Sequence, residues 1–225
     1  MDWSFTWSPL GGVAQFVRKN LVSNVHILGI DDKCRCFVLM LTLHSGYILL
    51  VTYAYWPCFE SGQEYQSAVL ECIGFTESCI TCNDHDGVTL LGDFNLECDN
   101  KYIGYKVLQN LLHDYGLMSC EKRAEPAIEY MYFQDKLGRY SVIDHMFISH
   151  SLYCNIIWYA VTESGINLSD HMPIKCVIAF QTVINYNGSL CNKDRKTKSK
   201  KACNILRWDK GDINTRCVQK VRSLV

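Results

Sequence analysis

Two apolar runs stand three residues apart: CRCFVLMLTL (residues 34–43) and YILLVTYAY (47–55), joined by His44, Ser45 and Gly46. So short a joint with a glycine in it turns the chain straight back, and the pair reads as a hairpin of two long strands. The longest apolar run, ILLVTYAYW, falls well short of the roughly 20 residues that cross a bilayer. It reads as a buried strand. GGVAQFV (11–17) and NVHILGI (24–30) precede the hairpin as further strands, with no helix between them. Consecutive strands of this kind exclude a simple alternation of strand and helix.

The remainder mixes both types. QEYQSAVLECIGFTESCI (63–80) has helical spacing and good helix formers, and IGYKVLQNLLHDYGL (103–117) reads as an amphipathic helix stopped near Gly116. VTLL (88–91), SVIDHMFIS (141–149), NIIWYAV (155–161) and MPIKCVIAF (172–180) read as strands. The expectation is a mixed α/β body over residues 1–180. With 48% hydrophobic residues among 225, there is ample material for a core.

Charge separates this body from the C-terminal segment. Residues 1–180 carry 11 Lys/Arg against 20 Asp/Glu, whereas residues 181–225 carry 11 Lys/Arg against 3 Asp. An acidic body thus precedes a basic tail, which reads as a linker followed by a short helix. Thirteen cysteines at scattered spacings lack the paired motifs of a zinc site; only Cys79 and Cys82 have ligand-like spacing. They read as reduced thiols of an intracellular protein, nuclear or cytoplasmic. No signal peptide or membrane span is read, and neither secretion nor a membrane partner is expected.

Three strand ends carry polar groups in apolar surroundings. VTLLGDFN ends with Asp93 and Asn95, SVIDHMFIS holds Asp144 and His145, and NLSDHMPI places Asp170 and His171 before the last strand. Reactive groups collect at such ends, where rigid backbone meets open loops. Carboxylates with an amide are hard oxygen ligands suited to Mg²⁺ or Mn²⁺. A histidine backed by a carboxylate can act as a base or stabilise charge. Together they fit metal-assisted attack of water on a phosphoester. Taken singly, Asp93 and Asn95 also fit an Asx turn, and His145 reads as a satisfied or surface histidine.

LLGDFN, SVIDHMFIS and SDHMPI, in that order and with AYWPC upstream, resemble the motifs of the endonuclease/exonuclease/phosphatase family. The resemblance covers about residues 10–180. GGVAQFVRKNL and the tail LRWDKGDINTRCVQKVRSLV are similar to the endonuclease domains of non-LTR retrotransposons and to the stretch joining them to a reverse transcriptase. The resemblance implies a four-layer sandwich of two mostly antiparallel sheets flanked by helices. It also implies DNA as substrate and Mg²⁺ or Mn²⁺ as cofactor. Asp93 would position or deprotonate the attacking water, and Asn95 would bind the phosphate or the metal. Tyr55 would hydrogen-bond the phosphate. Asp144 would orient His171, which contacts the scissile phosphate, and Asp170 would be a metal ligand or orient water. Lys193, Arg195, Lys196 and Lys198 in the tail offer phosphate contacts.

The chain departs from the family pattern in two places. The family's early strands, one with an asparagine in a WNVNG-like motif and one ending in a metal-binding glutamate, have no counterpart; no glutamate precedes Glu60. One sheet is therefore expected to be short by one or two strands. Met131 stands where retrotransposon relatives tend to have threonine. A non-catalytic remnant of such an endonuclease remains an alternative, as does a phosphatase of inositol phosphates or sphingolipids.

Overall fold

The computed structural model describes residues 3–7, 14–58, 62–98, 103–134, 137–162, 169–180 and 202–205. Strands β1 (Trp3–Trp7) and β2 (Ala14–Arg18) form an antiparallel pair of their own. Strands β3 (Val22–Ile30), β4 (Cys36–Leu43), β5 (Ile48–Tyr55), β6 (Gly87–Asp93), β7 (Leu117–Ser119) and β10 (Asp144–Ser149) build the main sheet in the order β3-β4-β5-β6-β10-β7. Its pairings are antiparallel except β5 with β6, where helix α1 (Gly62–Thr81) makes the crossover. Strands β8 (Tyr132–Gln134) and β9 (Arg139–Ser141) form a hairpin. Strands β11 (Ile156–Val161), β12 (Ile174–Ala179) and β13 (Ala202–Ile205) form a small antiparallel sheet.

Strand alternation sorts the main sheet's side chains into two cores. Leu39, Leu41, Leu49, Val51, Tyr53, Leu91, Met146 and Ile148 face one way and pack with Tyr159, Cys176 and Ile178 of the small sheet. Leu50, Val88, Leu90 and Phe147 face the other way and pack under α1 and helix α2 (Ile103–Asp114), against Val69, Ile73, Leu108 and Leu111. The main sheet is thus sandwiched between helices and a second sheet, the mixed α/β arrangement of stacked sheets and flanking helices that the motifs imply. No helix among the described residues is long and apolar enough to cross a membrane.

Several boundaries moved for local reasons. Helix α2 stops at Asp114 rather than 117, because Gly116 takes a left-handed φ of +58° and turns the chain into β7. The run 141–149 is two strands, not one: β9 ends at Ser141, and the Ile143 carbonyl accepts the Phe94 N–H at 2.9 Å instead of joining a ladder. Ala202–Ile205, read as linker, adds β13 to the edge of β12. The rest of the tail, with Lys193, Arg195, Lys196, Lys198 and the expected terminal helix, lies outside the described residues. The ten cysteines whose side chains are described are free; Cys36, Cys72, Cys120 and Cys176 are buried, where a thiol packs as a small hydrophobe.

Phe94, between the two polar residues of GDFN, is fully buried. Its ring meets Trp56 edge-on at 5.0 Å, Phe147 at 5.5 Å and His145 at 5.8 Å. Truncating it opens a cavity among rings that cannot collapse together. Phe94→Ala is expected to destabilise the chain by about 3–5 kcal/mol in urea denaturation. A loss under about 1 kcal/mol would contradict this packing.

Candidate active site

The register of three neighbouring strands sets one row of side chains. Tyr55 on β5 is paired with Asp93 on β6, and Asp93 is paired with Asp144 on β10. Residues paired across a sheet share a face. This row lies on the face turned toward the small sheet, since Tyr53, Leu91 and Met146, two positions along, belong to that core. The strands end here, so the row opens at the rim between the two sheets.

His171 arrives from the other side. The chain before β12 forms a bridge with the hairpin: Tyr132 pairs with His171, Phe133 N–H donates to the Asp170 carbonyl at 2.9 Å, and Met172 N–H to the Met131 carbonyl at 2.7 Å. Clamped so, the His171 ring sits 4.8 Å from the Tyr132 ring. Its Nδ1 meets Asp144 Oδ2 at 2.6 Å, with both side chains 3% exposed. A contact this short between ionisable groups is a charge-assisted hydrogen bond. It fixes the imidazole's orientation. Nε2 lies 4.0 Å from Asp170 Oδ1, on a side chain that is 54% exposed.

Asp93 is fully buried, and its Oδ1 accepts the Asn95 N–H at 2.9 Å. That bond is an Asx turn, and it coexists with a site. Asn95 holds a left-handed φ of +50°, a conformation asparagine tolerates better than most residues. Its Nδ2 donates to the Trp56 carbonyl at 2.6 Å, which sets which way the amide faces. Its Oδ1 accepts a long contact from Cys58 Sγ at 3.4 Å.

Asp93, Asp144 and His171 offer ligand atoms within 4.8 Å of one another, all buried. Asp144 and His171 are taken up with one another through the 2.6 Å contact. Asp144 Oδ1, moreover, has no hydrogen-bond partner among the described residues. The Asp93 carboxylate, the Asn95 Oδ1 and the partly exposed Asp170 carboxylate are the oxygen donors of the rim, a type that fits a hard divalent cation. Mg²⁺ commonly takes only one or two protein carboxylates and completes its shell with water and phosphate oxygens.

Sequence reasoning placed Tyr55, Asp93, Asn95, Asp144, Asp170 and His171, and the fold brings all six to this rim. Tyr132, against the imidazole, was missed because a three-residue strand has too little periodicity to stand out. Met131 is fully buried, so it supports the site through its backbone and presents no side chain to a ligand. His145 points to the helical face and is fully buried, as a satisfied histidine. Burial disfavours its charged form, but Cys98 and Glu121 beside it outweigh that and hold it well above the usual histidine range. A cleft of about 440 Å³ opens beside Asn95, lined among others by Tyr65, Glu97, Tyr132, Arg139 and Tyr140.

No family model matches the chain, and no curated protein matches it in sequence. Solved structures do. The 3′ phosphatase NExo from Neisseria, bound to a product DNA hairpin, superimposes with a TM-score of 0.57 at 19% identity, over 79% of this chain and 80% of that one. The endonuclease domain of TRAS1, a telomere-specific non-LTR retrotransposon, gives 0.55 at 13% identity over 76% of each chain. An endonuclease/exonuclease/phosphatase family protein from Leptotrichia buccalis gives 0.53 at 14% identity, over 80% of this chain and 72% of that one. With the sheet order and the rim of strand ends, these superpositions establish that the chain has the endonuclease/exonuclease/phosphatase fold.

Proposed function

We propose that the chain hydrolyses phosphodiester bonds in DNA, as an endonuclease of retrotransposon type that uses Mg²⁺ or Mn²⁺. The observation that carries this is the buried Asp144–His171 pair with Asp93 beside it, at the open ends of adjacent strands. The fold alone does not decide chemistry, since one fold hosts many functions. The site narrows it. A carboxylate for water, an oriented imidazole and neighbouring oxygen donors suit phosphoester hydrolysis.

In this reading a phosphodiester lies across the rim. Asp93 takes up the proton of the attacking water. His171, held at Nδ1 by Asp144, donates from Nε2 to a phosphate oxygen as charge builds there. Asn95, its amide fixed by Trp56, turns its other Nδ2 hydrogen to a phosphate oxygen, and the Tyr55 hydroxyl does the same from β5. Asp93, the Asn95 Oδ1 and Asp170 would hold the divalent cation, which supplies neutralisation of phosphate charge. The tyrosines and Arg139 of the neighbouring cleft suit a nucleotide, by stacking and by charge. On the same reading the basic segment 181–225 joins the domain to a reverse transcriptase.

The test is nicking of supercoiled plasmid by the purified chain. Mg²⁺-dependent nicking is expected, abolished by a chelator and by Asp93→Ala. Nicking that survives both would exclude the proposal. One observation favours a second reading, a remnant that cleaves nothing: among the described residues no glutamate joins Asp93, Asp144 and His171. Calorimetric titration with Mg²⁺ separates the two, because binding at millimolar concentration or tighter argues against the remnant.

A further inference from the structure

Behind the rim, on the helical face of the main sheet, a second group of ligand-type side chains gathers: Cys98, Glu121 and His145. We propose that it is a separate site for a borderline transition metal, Zn²⁺ or Co²⁺, distinct in chemistry from the oxygen-rich set at Asp93. The proposal stands whether or not the chain cleaves DNA.

His145 is prepared as a ligand by its surroundings. Its Nε2 lies 2.8 Å from the Leu96 carbonyl, which can only accept, so Nε2 carries a hydrogen. A backbone carbonyl on the far nitrogen is the usual support of a metal-binding histidine. The bond places one hydrogen on Nε2, so a metal would bind at Nδ1 in place of any proton held there. Nδ1 faces Glu121 Oε1 in direct contact. A nitrogen and a carboxylate oxygen so placed hold a cation between them. A proton meets that need, and so does a metal ion.

The third ligand decides which metal. Cys98 Sγ lies 3.6 Å from Nδ1 and equally 3.6 Å from Nε2. A tetrahedral zinc ion with Zn–S of about 2.3 Å and Zn–N of about 2.0–2.1 Å separates sulfur from nitrogen by about 3.5 Å. The sulfur is therefore at the right range of Nδ1, and a side-chain rotation away from Nε2 would complete the geometry. Glu121 has to draw back, to about 3.4 Å from Nδ1 in the same geometry. It can: its side chain is 20% exposed, on the short 3₁₀ turn Cys120–Arg123. Thiolate, imidazole and carboxylate together select a borderline metal over Mg²⁺. Cys98 is only partly buried, so a water can take the fourth position. The metal would tie the chain after GDFN to the turn that succeeds β7.

Co²⁺ titration of the purified, metal-free chain tests this. One equivalent is expected to produce visible bands of tetrahedral cobalt and a near-ultraviolet thiolate-to-cobalt charge-transfer band, both reversed by Zn²⁺. Cys98→Ser is expected to abolish the charge-transfer band, and Glu121→Gln to weaken binding at least about 10-fold. Asp93→Ala, at the rim, is expected to leave the spectrum unchanged. These two ligand variants alter partly exposed side chains, so their folding is checked by circular dichroism. Absence of a charge-transfer band in the unaltered chain overturns the proposal and leaves the cluster as a hydrogen-bonded latch. A band that persists in Cys98→Ser overturns it too, by assigning the cobalt to other cysteines.

Discussion

Asp144→Asn lowers the rate of plasmid nicking by about 10³-fold or more, and His171→Gln does the same. The factor reflects the contact each group makes. Asparagine can still turn its oxygen to the Nδ1 hydrogen of His171, so the ring keeps its place at the 2.6 Å contact. What is lost is the negative charge that stabilises the imidazolium. A tenfold change in rate corresponds to about 1.4 kcal/mol, so the loss amounts to about 4 kcal/mol at the transition state. That is reasonable for a charge contact shielded from water on both sides. The two residues act as one unit, so the double variant is expected to be no slower than the slower single one. Removing one partner of a buried pair also costs stability, about 3–5 kcal/mol when the other stays charged. Rates are therefore compared well below each variant's melting temperature. If Asp144→Asn nicks at the unaltered rate while His171→Gln does not, the carboxylate is a structural anchor and the role assigned to it is wrong.

The fold class and the candidate site residues were legible in the sequence, but the pairing of the strands was not. Asp93, Asn95, Asp144, Asp170 and His171 stand at polar ends of apolar runs, a contrast that also marked His145, whereas Tyr55 was indicated only by the resemblance. Pairing could not be seen. That Tyr55, Asp93 and Asp144 form one row depends on a parallel register between β5 and β6 and an antiparallel one between β6 and β10. These lie 38 and 51 residues apart along the chain, so no local pattern encodes them. The long strands were legible because eight apolar residues in sequence admit little else. The short ones, β7 to β9, have three residues each and owe their form to partners rather than propensity. Thus the hairpin that clamps His171 was invisible, although its Tyr132 contact defines the imidazole's position. The Glu121–His145–Cys98 cluster escaped for the same reason, since its members come from three separate elements. His145 alone gave no sign of which face of β10 it would occupy.

Gly92→Ala is expected to be the most damaging glycine-to-alanine change among the described residues. Gly92 precedes Asp93 inside β6, flanked by β5 on one side and β10 on the other. Its φ is +140°, outside what side-chain-bearing residues readily adopt. A Cβ there would stand 1.9 Å from the Ala54 carbonyl oxygen, 2.8 Å from its carbon and 2.9 Å from its nitrogen. The obstacle is backbone in a fully buried strand, so no rotamer change relieves it. Restoring contact distance requires β5 and β6 to part by more than 1 Å, at the step that carries Tyr55 and Asp93. The ladder bonds there would break in the core, and a buried backbone group without a partner costs about 1–3 kcal/mol. Adding the backbone strain, the total is expected to exceed about 4 kcal/mol, enough to unfold a marginal domain. Gly46→Ala supplies the comparison. Gly46 also has a positive φ, +85°, but nothing lies within 4 Å of its added Cβ. It should lose only the conformational cost, about 1–2 kcal/mol. Urea denaturation of the two variants reads the difference directly. Equal midpoints would mean that β5 and β6 do not approach at Gly92, and with that the row of Tyr55, Asp93 and Asp144 would lose its basis.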